Sequence, residues 1–217
     1  VYLEQAKALV KGAGEIKQQS GDTDAALKRA AKSIDAFYDV PFLPHVAMEP
    51  QNCTARVTAS GVEIWAPTQV PNSGKELVGK TLGVAPETVT IHMRRAGGGF
   101  GRRLENDYMA EVSAIAQKAG KPVKLVWSRE DDIAHDFFRP GCYHALRAGV
   151  DAAGKLTAYA CHSVTFSRDG KVAQGANIDG NAFAPLVTPN FRLEQSLIES
   201  TIPTGYLRAP ASNALVC

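Results

Sequence analysis

The 217 residues, 45% hydrophobic and 21% charged, have the composition of a globular chain long enough for one large domain or two small ones, which excludes intrinsic disorder. Lys and Arg number 24 against 22 Asp and Glu, a balance that excludes a nucleic-acid or anionic-membrane surface as the main partner. No uninterrupted apolar run approaches the roughly 20 residues that cross a bilayer. Position 1 is valine and no secretory-signal pattern opens the chain, so it reads as a piece from inside a longer protein.

Val1 to Gly12 reads as the tail of a helix and Gly14 to Gly21 as a polar loop; together, residues 1–21 are expected to end a preceding segment. Asp22-Thr23-Asp24 supplies a cap for a new helix, in which Ala26, Leu27, Ala30, Ile34 and Phe37 fall on one face. Pro41 and Pro44 stop regular helix. From Cys53 the period changes to two: Cys53, Ala55 and Val57, then Val62, Ile64 and Ala66, alternate around a Ser60-Gly61 turn, which predicts a β-hairpin. Ser73 is expected to cap a short helix that Gly83 closes, and Thr88–Arg95 reads as a strand. After a glycine run, Tyr108, Met109, Val112, Ile115, Ala116 and Ala119 form the apolar stripe of another helix. Val123–Trp127 is a strand and Ser128–Asp132 a capped acidic turn. Two strands, 144–150 and 156–166, flank a turn at Asp151–Gly154. Residues 169–189 read as mostly loop, and 192–201 return to a strand pattern. Strands and helices mix without strict alternation, which predicts an α+β fold with a mixed β-sheet and flanking helices, its main domain spanning 22–217.

Cys53, Cys142, Cys161 and Cys217 are widely spaced with no C-x-x-C pair, against a zinc ribbon or a cysteine-held iron–sulfur cluster in this chain. His45, Glu49, His92, His135 and His144 lack zinc-ligand spacing; His45 and Glu49 read as a buried polar anchor for the following strand. Asp131-Asp132 suits a capped turn better than a metal pair.

Gly97-Gly98-Gly99-Phe100-Gly101 lies between a strand and a helix, where free N–H groups can point at an anion or a polar ligand atom. It lacks the Lys-Ser/Thr of a Walker loop and the spacing of a dinucleotide fingerprint. Taken alone it fits a phosphate- or nucleotide-binding module, or glycines that let a sheet edge pack against a helix. Arg94, Arg95, Arg102 and Arg103 flank it; most are expected to be solvated or paired with acidic neighbours.

Its neighbours make the pattern specific. Arg95-Ala96-Gly97-Gly98-Gly99-Phe100-Gly101 resembles the glycine loop of the molybdenum hydroxylases, the xanthine dehydrogenase and aldehyde oxidase family. Trp65-Ala66-Pro67-Thr68-Gln69 resembles that family's segment ending in Thr-Gln, and Leu207-Arg208-Ala209-Pro210 its arginine segment. His45-Val46-Ala47-Met48-Glu49-Pro50-Gln51-Asn52-Cys53-Thr54-Ala55 is similar to the branch containing isoquinoline 1-oxidoreductase large (beta) subunits and related membrane-bound aldehyde dehydrogenases.

The resemblance implies a molybdenum–pyranopterin cofactor, in the cytosine dinucleotide form, and hydroxylation of an N-heterocycle or oxidation of an aldehyde with oxygen from water. It implies an iron–sulfur small subunit whose [2Fe–2S] clusters accept the electrons. Gln69 corresponds to the glutamine whose amide donates to a metal-bound oxygen. Gly98, Gly99, Phe100 and Gly101 correspond to the cofactor-binding loop, where a backbone N–H approaches such an oxygen. Arg208 corresponds to the arginine facing the substrate pocket, although Ala209-Pro210 departs from the usual Gly-Phe-Gly. Leu104 stands where purine-acting relatives carry a substrate-contacting Glu, which disfavours purines. The family's glutamate base belongs to a later part of the large subunit, so no catalytic residue is expected within this chain. A catalytically silent scaffold is the other alternative, against which Gln69 together with the loop argues.

Overall fold

The computed structural model describes residues 1–178 and 187–208. In chain order the elements are α1 (Tyr2–Leu9), β1 (Glu15–Ser20), α2 (Thr23–Arg29), β2 (Lys32–Val40), β3 (Asn52–Thr58), β4 (Gly61–Ala66), α3 (Pro71–Leu82), β5 (Val89–Met93), α4 (Asp107–Ala119), β6 (Val123–Val126), α5 (Arg129–Ala134), β7 (Cys142–Val150), β8 (Leu156–Arg168), β9 (Lys171–Val172) and β10 (Asn190–Glu199). They form two compact units. One contains Val1–Leu43 and Arg139–Thr204; the other contains Pro44–Phe138 with Gly205–Arg208.

The first unit holds a mixed sheet in the order β1-β10-β8-β7-β2, with β9 paired to β8. β8 and β10 run parallel, and the other neighbours antiparallel. On one face of β8, Ala158 and Ala160 pack with Ala26 and Leu27 of α2, while Val164 and Phe166 pack with Ala6 of α1. On the other face Cys161 packs with Phe191 and Leu193. Residues on both sides of position 21 belong to this unit.

Two expectations are corrected here. The stretch 14–21 contains β1, an edge strand zipped antiparallel to β10. Its residues are exposed or half-buried, so no apolar alternation marks it, and the main-chain ladder alone orders it. The helix capped by Asp22, whose side chain accepts from Ala25 N–H at 2.9 Å, ends at Arg29. Ile34 and Phe37 lie on β2, paired in register with β7, and both are exposed. Their helical spacing carried no packing information. Within 169–189 the described residues carry only β9; residues 179–186, Ala209-Pro210 and Cys217 lie outside the described residues.

His162 of β8 is buried, its Nε2 2.8 Å from Ser196 Oγ. Burial holds its imidazole below the ordinary histidine value; Glu194 draws it up and Arg192 pushes it down. The folded state therefore prefers the neutral ring. Stability is greatest above about pH 6.5, where both states are neutral, and declines as pH falls because the unfolded chain takes up the proton first. The unfolding midpoint is expected to fall between pH 7.5 and 5, and His162→Gln should flatten that slope. Equal slopes in the two proteins would remove His162 from the account.

The second unit carries a mixed sheet in the order β5-β4-β3-β6. β4 and β5 run parallel, joined through α3; β3 is antiparallel to β4 and β6. The predicted hairpin is β3–β4, because Cys53, Ala55, Val62, Ile64 and Ala66 bury one face beneath Val78 of α3 and Met109 and Val112 of α4. α3 starts at Pro71 rather than under a Ser73 cap, since proline's missing N–H suits a first helical turn. Gly83 closes it at φ 70° as expected. In α4, Ser113 is buried while Ile115 and Ala119 are exposed; the stripe centres on Met109 and Val112, with Ile115 at its margin. Ser128 and Asp131 form a reciprocal capping box on α5, and Asp132 pairs with Arg129 at 2.7 Å. The α+β architecture is as expected, with two mixed sheets instead of one. Cys53, Cys142 and Cys161 are buried thiols.

Candidate cofactor-binding site

The five-residue run from Gly97 to Gly101 leaves β5 and is fixed from three directions, all within the second unit. From the segment before β3, Glu49 Oε2 accepts the Gly97 N–H at 2.6 Å, and the Gly97 carbonyl accepts the Glu49 N–H at 3.2 Å. From the end of β4, Gln69 Oε1 accepts the Gly101 N–H at 3.0 Å. From the 205–208 segment, the Arg208 N–H donates to the Phe100 carbonyl at 2.8 Å, and the Arg208 guanidinium lies 5.0 Å from the Phe100 ring centre.

These contacts explain the glycines. A Cβ on Gly99 would stand 2.6 Å from Gln69 Oε1, and one on Gly101 would overlap the Tyr206 carbonyl oxygen. Gly101 also sits at φ 109° and ψ −32°, which an L side chain disfavours. Gly101 is thus required by the protein's own packing, while at Gly99 a side chain would displace only the end of Gln69; the family resemblance had linked both glycines to the approach of a cofactor.

Beyond the loop, a 3-10 turn at Arg102–Leu104 turns two arginines inward. Arg102 forms a bidentate pair with Asp107 at 2.7 and 2.8 Å and lies between the Trp127 and Phe137 rings. Its Nε is 3.1 Å from Asp136 Oδ1, an ion-pair contact whose angle falls short of a hydrogen bond. Arg103 is fully buried. It donates to the carbonyls of Gly98 (2.9 Å), Pro67 (3.1 Å), Glu49 (3.2 Å) and Pro50 (3.4 Å), and to Glu49 Oε2 (3.2 Å). Both arginines pair with acidic neighbours, as expected, while Arg94 and Arg95 are exposed.

Gln69, Gly98, Gly99, Phe100, Gly101 and Arg208 are therefore brought together. Sequence reading missed the residues that assemble them. Asn106, buried at φ 57°, accepts from the Thr68 hydroxyl at 2.6 Å and donates to the Val70 carbonyl at 3.1 Å, holding Gln69 beside the loop. An asparagine directly before a helix was the available signal, since asparagine tolerates left-handed backbone. Asp136 and Tyr206 carried no signal. Glu49 Oε1 accepts from Asn52 Nδ2 at 2.8 Å at the start of β3, as expected, and beyond that His45 anchors the 205–208 segment and Glu49 the glycine loop.

The N–H groups of Gly98, Gly99 and Phe100 make no hydrogen bond among the described residues. With Oε1 committed to Gly101, Gln69 presents its NH2 as a donor, and its side chain is exposed. Three consecutive main-chain donors and one amide form a neutral, acceptor-seeking surface, which fits the oxygen-rich ligand sphere of a molybdenum–pyranopterin group. Elsewhere, a cavity of about 540 Å³ opens on the helix-free sheet face between Arg56, Trp65 and Arg94; it includes none of these donors.

Residues 4–186 match the molybdopterin cofactor-binding domain, and the chain belongs to that family. It is 39% identical over 132 residues to isoquinoline 1-oxidoreductase subunit beta of Brevundimonas diminuta, covering 60% of this chain and 16% of that one. It is 37% identical over 139 residues to the aldehyde oxidoreductase molybdenum-binding subunit PaoC of Escherichia coli (strain K12), covering 64% of this chain and 19% of that one. Among solved structures, aldehyde oxidoreductase from Desulfovibrio gigas superposes with a TM-score of 0.73 at 17% identity, over 90% of this chain and 22% of that one. The chain thus spans less than a fifth of the length of these two curated relatives. The family match sets aside the phosphate- or nucleotide-binding module.

Proposed function

We propose that this chain is the first molybdenum-binding portion of the large subunit of an oxidoreductase that hydroxylates an N-heterocycle or oxidises an aldehyde. The observation that carries the reading is the run of partnerless N–H groups at Gly98, Gly99 and Phe100 beside the Gln69 amide. When bound, a molybdenum–pyranopterin group supplies two-electron oxidation with oxygen drawn from water. The N–H groups and the Gln69 NH2 would hold and orient its acceptor atoms, remaining neutral across the working pH range. Arg208, stacked on Phe100, would place a positive charge at the edge of the site. Leu104 favours a less polar substrate than a purine. The reading also assigns the cytosine dinucleotide form of the cofactor, a glutamate base from the remainder of the subunit, and a partner bearing [2Fe–2S] clusters.

Gln69 provides the test, in the complete enzyme. Gln69→Glu keeps an acceptor for the Gly101 N–H and removes the amide donor. Loss of one such donor typically costs about 10²–10³ in rate, so kcat is expected to fall by that factor. Gln69→Ala should be at least as slow. Unchanged kcat in Gln69→Glu, with full molybdenum content, would overturn the assignment.

A further inference from the structure

His45 lies immediately behind the glycine loop. Its side chain and that of Asp136 are each 1% exposed. His45 Nε2 stands 2.8 Å from the Tyr206 carbonyl oxygen, which can only accept, so Nε2 carries a proton. Nδ1 stands 3.0 and 3.2 Å from the two Asp136 oxygens. That carboxylate already accepts the main-chain N–H of His45 at 2.5 Å and of Phe137 at 2.7 Å, and lies beside the Arg102 guanidinium. The Asp136 carboxyl thus braces the ring at Nδ1 and is itself held by main-chain donors. The ring is thus held at both nitrogens and donates from Nε2 to Tyr206. Around the ring, Arg102 pairs with Asp107 and faces Asp136, Asp132 pairs with Arg129, and Glu105 lies near Gly205.

Tyr206, the residue His45 holds, is the one whose carbonyl fills the space left by the missing Gly101 side chain. Two residues on, the Arg208 N–H bonds to Phe100. We propose that His45 is a positioning residue: with its ring braced by Asp136, it clamps the Tyr206 carbonyl against Gly101 through Nε2 and thereby sets Arg208 over Phe100. It touches neither ligand nor reacting atom and acts only through Tyr206. The bearing of this clamp on turnover rests on the cofactor reading above; the clamp itself does not.

The test uses the 217-residue chain without cofactor. With nitrogen-15-labelled histidine, Nε2 of His45 is expected to carry the attached proton at neutral pH. An unprotonated Nε2 would overturn the proposal without any variant having to fold. Two substitutions then separate the two bonds. His45→Asn can reach Asp136 but is too short for Tyr206, whereas His45→Gln places an amide near the Nε2 position. Amide exchange at Arg208 should speed up about tenfold in His45→Asn and stay within about twofold of the parent in His45→Gln. Equal exchange in the two variants would show that the ring merely fills space. Molybdenum content of the complete enzyme tests the cofactor reading separately.

Discussion

Gly101→Ala is expected to destabilise the second unit by roughly 2–6 kcal/mol, combining a strained backbone conformation of about 1–3 with an overpacking cost of similar size. The backbone there is at φ 109°, and the new methyl would overlap the Tyr206 carbonyl oxygen. Relief requires the 205–208 segment to move, which also breaks the bond from Arg208 to Phe100. Gly120→Ala is the control: φ is 63° and nothing lies within 4 Å of the added carbon, so only the left-handed penalty of about 1–2 kcal/mol applies. Urea unfolding followed by tryptophan fluorescence measures both, because the two tryptophans, Trp65 and Trp127, belong to this unit. In the complete enzyme Gly101→Val should abolish turnover. A Gly101→Ala protein no less stable than Gly120→Ala would contradict the packing account.

Arg103→Met should cost about 3–5 kcal/mol, the range for breaking a buried ion pair from one side. The loss concerns more than the pair with Glu49, whose carboxylate is 30% exposed and recovers some hydration. The Gly98 carbonyl also loses the Arg103 donor, and the buried Pro67 carbonyl is left with the Tyr108 hydroxyl alone. Arg103→Lys keeps the charge but cannot fork to Gly98, Pro67 and Glu49 together, so it should recover less than half of the stability. Full rescue by lysine would mean that charge, and not the fork, holds the loop. Pairing Arg103→Met with Glu49→Gln in a double-mutant cycle isolates their coupling.

How much of this was legible in the sequence depended on whether an element has one buried face. The β3–β4 hairpin and α4 show clear periods because the same side chains that set the period form the core beneath α3 and α4. β1 and β2 carry no such mark. Their order comes from ladders to β10 and β7, and main-chain hydrogen bonding leaves no trace in residue type. The candidate site was legible as motifs, since Gln69, the 97–101 run and Arg208 are each recognisable locally.

By itself the sequence determined the family, the α+β class and the hairpin, and it named the residues of the candidate site, because these reside in short-range patterns and in side-chain chemistry. Only the tertiary structure decided what each residue does for the others. Gln69 turns its oxygen to Gly101 and so leaves its NH2 as the donor. Arg102 and Arg103, flanking a glycine loop as anion-binding residues would, are buried and hold the protein together. The glycine at 101 answers to a carbonyl far along the chain at Tyr206, and that carbonyl in turn to His45. Such contacts join residues distant in sequence, and the close approach that makes each of them necessary exists only once the chain has folded.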